Sequence, residues 1–286
     1  MYKQKSKIKK ILLTVCHPDD EALWFGGLLY ELSRFKNLEI YVICISGGGG
    51  SKKTVREKEF LECKNIANYK DGIVIKGELN EAIKKLENIS GKINSGLKKL
   101  NLNFSMLDLI ITHSPYGDEH RHPHHIQMSK EIFNLSRNKK IPFGFFSCLP
   151  LPRTSHIPYL RTMISFNKFD ALNFSKCKYN IFLKIIKFLN FNAHWFPEYY
   201  TQWRINKEIK LKMLACYEST DLEKFESGYL TFNSNIENLY LYDRRGVMIF
   251  EDILKLMSSS EVKDLFTSDK IKSIKNKLKS KIKFIK

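Results

Sequence analysis

Apolar runs of strand length alternate with amphipathic stretches through the first half of the chain. Ile11–Cys16, Leu38–Ser46 ("LEIYVICIS"), Gly72–Lys76, Leu107–Thr112 and Phe143–Leu149 read as strands. Between them, Asp19–Phe35, a segment from about Ser51 to Asn68, Asn80–Leu100 and His122–Ser136 read as helices. In the third of these, Ile83, Leu86, Ile89, Ile93, Leu97 and Leu100 recur at helical spacing. Continuous apolar strands separated by helices imply parallel pairing with both sheet faces covered. The pattern therefore predicts an α/β fold, a doubly wound, mostly parallel, Rossmann-like sheet. Ligands of such sheets lie beyond the carboxyl ends of the strands. Here those ends carry HPDDE, SGGGG and HSPYGDEHRHPHH.

Past Pro150 the pattern loosens. Tyr179–Phe191 is strongly apolar with two lysines, Glu208–Glu218 and Phe250–Met257 look helical, and Leu239–Tyr242 looks like a strand. Ile271, Ile274, Leu278, Ile282 and Ile285 form one stripe in a lysine-rich tail, as in a basic amphipathic helix. No repeat or linker divides the chain. The expectation is one domain over 1–286, with a core at about 9–150, a C-terminal elaboration at about 151–269 and a basic tail at 270–286.

Composition adds limits. Of the 286 residues, 43% are hydrophobic and 27% charged, which is globular rather than disordered usage. The six cysteines are scattered without a CxxC, so reduced, packed thiols in a cytoplasmic protein are expected. "MYKQKSKIKKILLTVC" imitates a signal peptide, but its apolar run is too short, and no run is long enough to cross a bilayer. A net charge of +18 points to an anionic partner such as nucleic acid, lipid headgroups or a phosphorylated substrate. Abundant Lys, Ile and Asn give an equally good account through base composition.

The chemistry concentrates in two motifs. In "TVCHPDDEALWFGG", His17 and Asp20 stand three residues apart where a strand turns into a helix, so both side chains can converge on one point. Imidazole nitrogen and carboxylate oxygen are ordinary zinc ligands, and Asp19 between them could take a proton from nearby water. The plainer reading is that Asp19 and Asp20 cap the helix and complement its dipole. The second motif changes the balance. Five of the eight histidines (His113, His120, His122, His124 and His125) lie within thirteen residues, and His122 and His125 share the three-residue spacing. Two histidines and one aspartate with open positions for water make a hydrolytic metal site.

HPDDE after the first strand, paired with HPxH after the fourth, resembles the PIG-L/LmbE-like family of zinc-dependent N-deacetylases. "REKE" (Arg56, Glu59) is similar to that family's RxxE, and "KLKMLACYES" (Lys210–Ser219) resembles its late helix. The resemblance covers residues 9 to 150 well and the rest patchily. It implies Zn2+ (or another divalent metal) held by His17, Asp20 and His125, with Asp19 as general base. It further implies that His122 stabilises the oxyanion and that Arg56 contacts the sugar; Glu21 completes the motif without a chemical step. The implied activity is removal of an N-acetyl group from an amino sugar or its conjugate through zinc-activated water. Such a substrate suits phosphorylated or lipid-linked forms at the inner face of a membrane, where the basic tail and Tyr179–Phe191 would meet anionic lipid. Two departures stand out: His124 replaces the family's usual Asp or Asn, and Ser219-Thr220 replaces Ser-Gln.

The rival reading is a nucleotide- or nucleic-acid-binding protein using "SGGGGSKKT" (Ser46–Thr54) and the lysine excess. That loop fits neither GxxxxGK[ST] nor GxGxxG. The lysines are dispersed, and no nucleic-acid-binding motif appears.

Overall fold

The computed structural model describes residues 8–47, 53–75, 86–115, 118, 122–147, 199–220, 236–241 and 245. In chain order these form β1 (Lys9–Val15), α1 (Asp20–Ser33), β2 (Leu38–Cys44), α2 (Lys53–Ala67), β3 (Asp71–Val74), α3 (Ile89–Lys99), β4 (Leu109–Thr112), α4 (Pro123–Lys139), β5 (Phe143–Ser147), β6 (Tyr199–Arg204), α5 (Lys207–Ala215) and β7 (Ile236–Leu241). The strands make one sheet in the order β3-β2-β1-β4-β5-β7-β6. The pairings from β3 through β5 are parallel, whereas β7 runs antiparallel to β5 and β6 antiparallel to β7. The expected doubly wound α/β sheet is therefore present, extended by an antiparallel pair.

Alternation along the strands divides the core in two. Ile11, Leu13 and Val15 of β1 pack with Ile40, Val42 and Cys44 of β2 against α1, α2 and α5. Leu12 and Cys16, with Tyr41, Ile43 and Ile45, pack against α3 and α4 on the other face. A strand buried on both faces has no polar alternation, which is why the apolar runs are continuous. Cys16, Cys44, Cys63 and Cys216 are free thiols, the first three buried.

Two local departures have physical causes. Within the helix expected over Asn80–Leu100, residues 86–88 are not helical and α3 begins at Ile89, because Asn88 takes a left-handed conformation (φ 46°) and its side chain accepts from the Gly91 amide. Residues 76–85 lie outside the described residues, but Leu86, Ile89, Ile93, Leu97 and Leu100 are all buried as the stripe requires. Strand β6 has no counterpart in the hydrophobic pattern, because "YYTQWR" mixes aromatic and polar residues without strict alternation. The proposed Tyr179–Phe191 segment, the Phe250–Met257 helix and the 270–286 tail also fall outside the described residues.

The C-terminal strands are tied to the first helix. Glu237 of β7 accepts from the Gly27 and Leu28 amides of α1 at 3.1 and 2.7 Å, and pairs with Lys210 of α5 at 3.1 Å. Gly27 is required here, since a Cβ at that position would lie 2.4 Å from Ile205 side-chain atoms. Helix α5 thus lies close against α1, with the segment after it directed toward the carboxyl end of β1.

Candidate metal centre

Parallel pairing of β1 with β4 brings the two motifs together, although about a hundred residues separate them in the chain. Thr14 Oγ1 donates to the Ile111 carbonyl (3.3 Å) and Thr112 Oγ1 to the Thr14 carbonyl (3.0 Å), pinning the two strand ends side by side. Strand order reverses at β1/β4, the crevice where doubly wound sheets place their ligands. HPDDE leaves β1 there, and HPHH opens α4 there, with Pro123 at its first turn and His122 as N-cap.

Asp20 is the hub. Its Oδ2 accepts from the His17 amide at 2.7 Å and lies 3.4 Å from His17 Nδ1, 3.4 Å from His125 Nε2 and 3.2 Å from His113 Nε2. His125 Nε2 is in turn 3.3 Å from His17 Nδ1. His17, Asp20 and His125 thus form a nearly equilateral triangle of donor atoms. Four donors placed tetrahedrally at about 2.0–2.1 Å from a zinc ion stand about 3.3–3.4 Å from one another. The triangle has the edge length of one face of that tetrahedron.

Ligand atoms of Cys16, Asp20, His113 and His125, and separately of His17, His122 and His124, also lie within 4.8 Å of one another. Geometry favours the triangle. The His113 and His125 rings stack at 3.9 Å and 9°, so their in-plane lone pairs run parallel instead of converging. His113 Nε2 also accepts from the Cys16 amide at 3.1 Å, and burial raises the Cys16 thiol well above its usual range. His113 and Cys16 act as wall, while the triangle can close on one ion.

The electrostatics fit a cation. Burial opposes charge on both His125 and Asp20, yet Asp20 and Asp118 hold the His125 imidazole protonated up to about 10. The three histidines around it hold Asp20 well below the carboxylate range. Two carboxylates, Asp20 and Asp118, flank the His125 ring and supply negative charge of the kind that favours a divalent ion. Asp118, whose Oδ2 lies 2.9 Å from His125 Nδ1, orients the ring so that Nε2 faces the triangle. Asp118 also accepts from the His122 amide at 3.1 Å. Sequence reasoning passed over Asp118; the available signal was an acidic residue in the loop leading into a histidine pair.

Asp19 stands at the N-cap position of α1, but at φ 122° its side chain makes no cap hydrogen bond, which corrects the capping reading for its carboxylate. Non-glycine residues at such angles cost on the order of 1–3 kcal/mol and collect at functional sites. The strain turns its carboxylate toward Arg56, whose Nη2 lies 2.5 Å from Asp19 Oδ2 and also donates to the Pro18 carbonyl at 2.9 Å. Burial, then Asp20, raises the Asp19 carboxyl to about 6, against the pull of Arg56, His17 and the Thr220 hydroxyl. Glu21 is fully buried, accepts from the Tyr217 hydroxyl and is pushed up to about 7 by that burial. It braces the loop from behind.

His122 lies half-buried beside the triangle, its ring 5.0 Å from His17 and 4.7 Å from His125. Its Nδ1 accepts from the His124 amide at 3.3 Å, so the neutral ring carries its proton on Nε2. Burial, with His125 and His17, lowers it to about 4; Asp20 opposes this, and His124 adds a lesser contribution. His124 is buried 5.7 Å from the His17 ring, and burial lowers it also to about 4.

The model of the PIG-L family, GlcNAc-PI de-N-acetylase, matches residues 12–135, from β1 into α4. Residues 12–135 are a PIG-L domain. A probable N-acetylglucosaminyl-phosphatidylinositol de-N-acetylase of Dictyostelium discoideum is 28% identical over 145 residues, 46% of this chain and 51% of that protein. A protein of the same name from Schizosaccharomyces pombe is 34% identical over 59 residues, 20% of this chain and 24% of its own length. The chain thus spans about half the length of the first of these relatives and about a quarter of the second. Around the PIG-L domain the likeness of fold is wider. A deacetylase of teicoplanin biosynthesis superposes with a TM-score of 0.51 at 11% identity, over 82% of this chain and 97% of that one. A triple mutant of a deacetylase from the same pathway gives 0.52 at 12% identity over the same shares.

Proposed function

We propose that the chain is a metal-dependent hydrolase that removes an N-acetyl group from an amino-sugar conjugate. The observation that carries this reading is the donor triangle of His17, Asp20 and His125 with a buried carboxylate, Asp19, beside it. The PIG-L domain and the names of its relatives point to N-acetylglucosamine carried on a phosphorylated lipid as the substrate class. The net charge of +18 suits such an anionic conjugate presented at the cytoplasmic face of a membrane. Among the described residues no helix is long and apolar enough to cross a membrane.

Zn2+ is the ion we assign to the triangle, where it would supply Lewis acidity and bring the pKa of a water toward neutrality. The chain's own residues do the rest. Asp19 takes a proton from the attacking water as its oxygen bonds to the amide carbon. His122 offers Nε2–H to the carbonyl oxygen as negative charge grows there. When the C–N bond breaks, the amine takes up the proton and acetate is released. Arg56 lies at the same edge of the site, placed to meet a hydroxyl or phosphate of the conjugate after Asp19. The rival nucleotide reading falls largely on residues 48–52, outside the described residues.

Teicoplanin deacetylase has a zinc-inhibited form, so the ion should be supplied at one equivalent and not in excess. The test is free-amine release from a panel of N-acetylhexosamine conjugates by the purified chain, before and after chelation. Release from at least one N-acetylglucosamine conjugate, abolished by chelation and restored by one equivalent of zinc, is expected. Release that survives complete chelation would refute the metal-dependent reading.

A further inference from the structure

The family match ends at Leu135, yet the segment after α5 reaches back onto the site at three points. The Tyr217 hydroxyl donates to Glu21 of the first motif. The Ser219 amide donates to Glu59 Oε1 at 2.6 Å, and its hydroxyl to the other oxygen. Thr220 Oγ1 lies 3.2 Å from Arg56 Nη2 and 3.3 Å from Asp19 Oδ2. Tyr217 thus meets HPDDE, Ser219 meets RxxE, and Thr220 meets both.

We propose that Thr220 is a positioning residue for Asp19, acting together with Arg56. This rests on the reading of Asp19 as the general base. A single hydroxyl accepts from the guanidinium and donates to the carboxylate, so Asp19 Oδ2 is gripped from two directions. Both contacts fall on the same oxygen. The grip therefore assigns Oδ2 to binding and Oδ1 to taking the proton from water. An ungripped aspartate on a strained loop would be free to turn about its side-chain bonds, and misplacement of a catalytic group by about 1 Å can cost 10²-fold in rate. The backbone of the strap is itself secured: the Thr220 amide donates to the Tyr217 carbonyl at 3.0 Å, and Tyr217 is fully buried against the core. The reaction centre is therefore built from both halves of the chain.

The test compares Thr220→Val, which keeps the shape and removes the hydroxyl, with Thr220→Ser, which keeps the hydroxyl. Using the full zinc-loaded chain, T220V should lower kcat by about 10- to 100-fold. KM, bound zinc and the thermal midpoint should stay at wild-type values, and T220S should restore kcat. A crystal structure of T220V should show the Asp19 carboxylate turned from its wild-type orientation. Wild-type kcat in T220V, or a loss accompanied by a matching rise in KM or fall in bound zinc, would overturn the proposal. So would an unmoved Asp19 in the T220V crystal. That last readout needs no turnover, so it judges Thr220 even if no amino-sugar conjugate proves to be a substrate.

Discussion

Asp19→Asn should keep its zinc and its fold while losing deacetylation by on the order of 10²–10⁴-fold, the usual size of a general-base contribution. Asparagine has nearly the same shape, and its amide oxygen can still accept from Arg56 Nη2 and Thr220, so the surrounding contacts persist. What it cannot do is take a proton from water. Asp19 is also outside the donor triangle, so zinc content should stay at one equivalent. The wild-type carboxyl is suited to the role because burial and Asp20 raise it to about 6, close to neutrality, where acceptance and later release of a proton are both accessible. The measurement is kcat alongside metal content for both proteins. Wild-type turnover in the variant would remove Asp19 from the mechanism, and loss of zinc would make it part of the metal's support instead.

Lys210→Met should unfold the chain more easily by about 3 kcal/mol, because removing one partner leaves a buried charge uncompensated. The side chains of Lys210 and Glu237 are 1% and 3% exposed, which puts the pair out of reach of water and screening salt. The lower end of the usual range for such losses applies, since Gly27 and Leu28 still donate to the Glu237 carboxylate. The loss should be relieved by adding Glu237→Gln, which removes the stranded charge. Urea unfolding followed by circular dichroism reads both variants. An unfolding free energy within about 0.5 kcal/mol of wild type, the spread of ordinary surface substitutions, would show that the pair contributes nothing. The consequence reaches the site, because α5 carries the Tyr217–Thr220 strap. Partial loosening of α5 should therefore lower activity at temperatures where the N-terminal sheet remains intact.

The first half of the fold was legible because its strands are buried on both sides. Leu38–Cys44 and Leu109–Thr112 have no water-facing side, and their unbroken apolar runs say so directly. The motifs were legible for a related reason: carboxylates and imidazoles crowd at strand ends, where the sheet order reverses. The antiparallel extension was harder to see. Glu237 in β7 reads as a solvent residue until the helix amides and Lys210 that satisfy it are known. The roles of Asp118, Thr220 and Glu21 depend on partners 7, 201 and 196 residues away along the chain, which local patterning does not encode. The capping reading of Asp19 failed for an instructive reason. An acidic residue at a helix start ordinarily lowers its energy by capping, and here a strained backbone turns that carboxylate to Arg56 instead.

Anomalous diffraction at the zinc edge, from crystals of the chain loaded with one equivalent of the ion, examines the donor triangle without any assumption about substrate. A single peak at about 2.0–2.1 Å from His17 Nδ1, Asp20 Oδ2 and His125 Nε2 is the expected result. A peak bound instead by Cys16 and His113, or no peak between His17 and His125, would contradict the account.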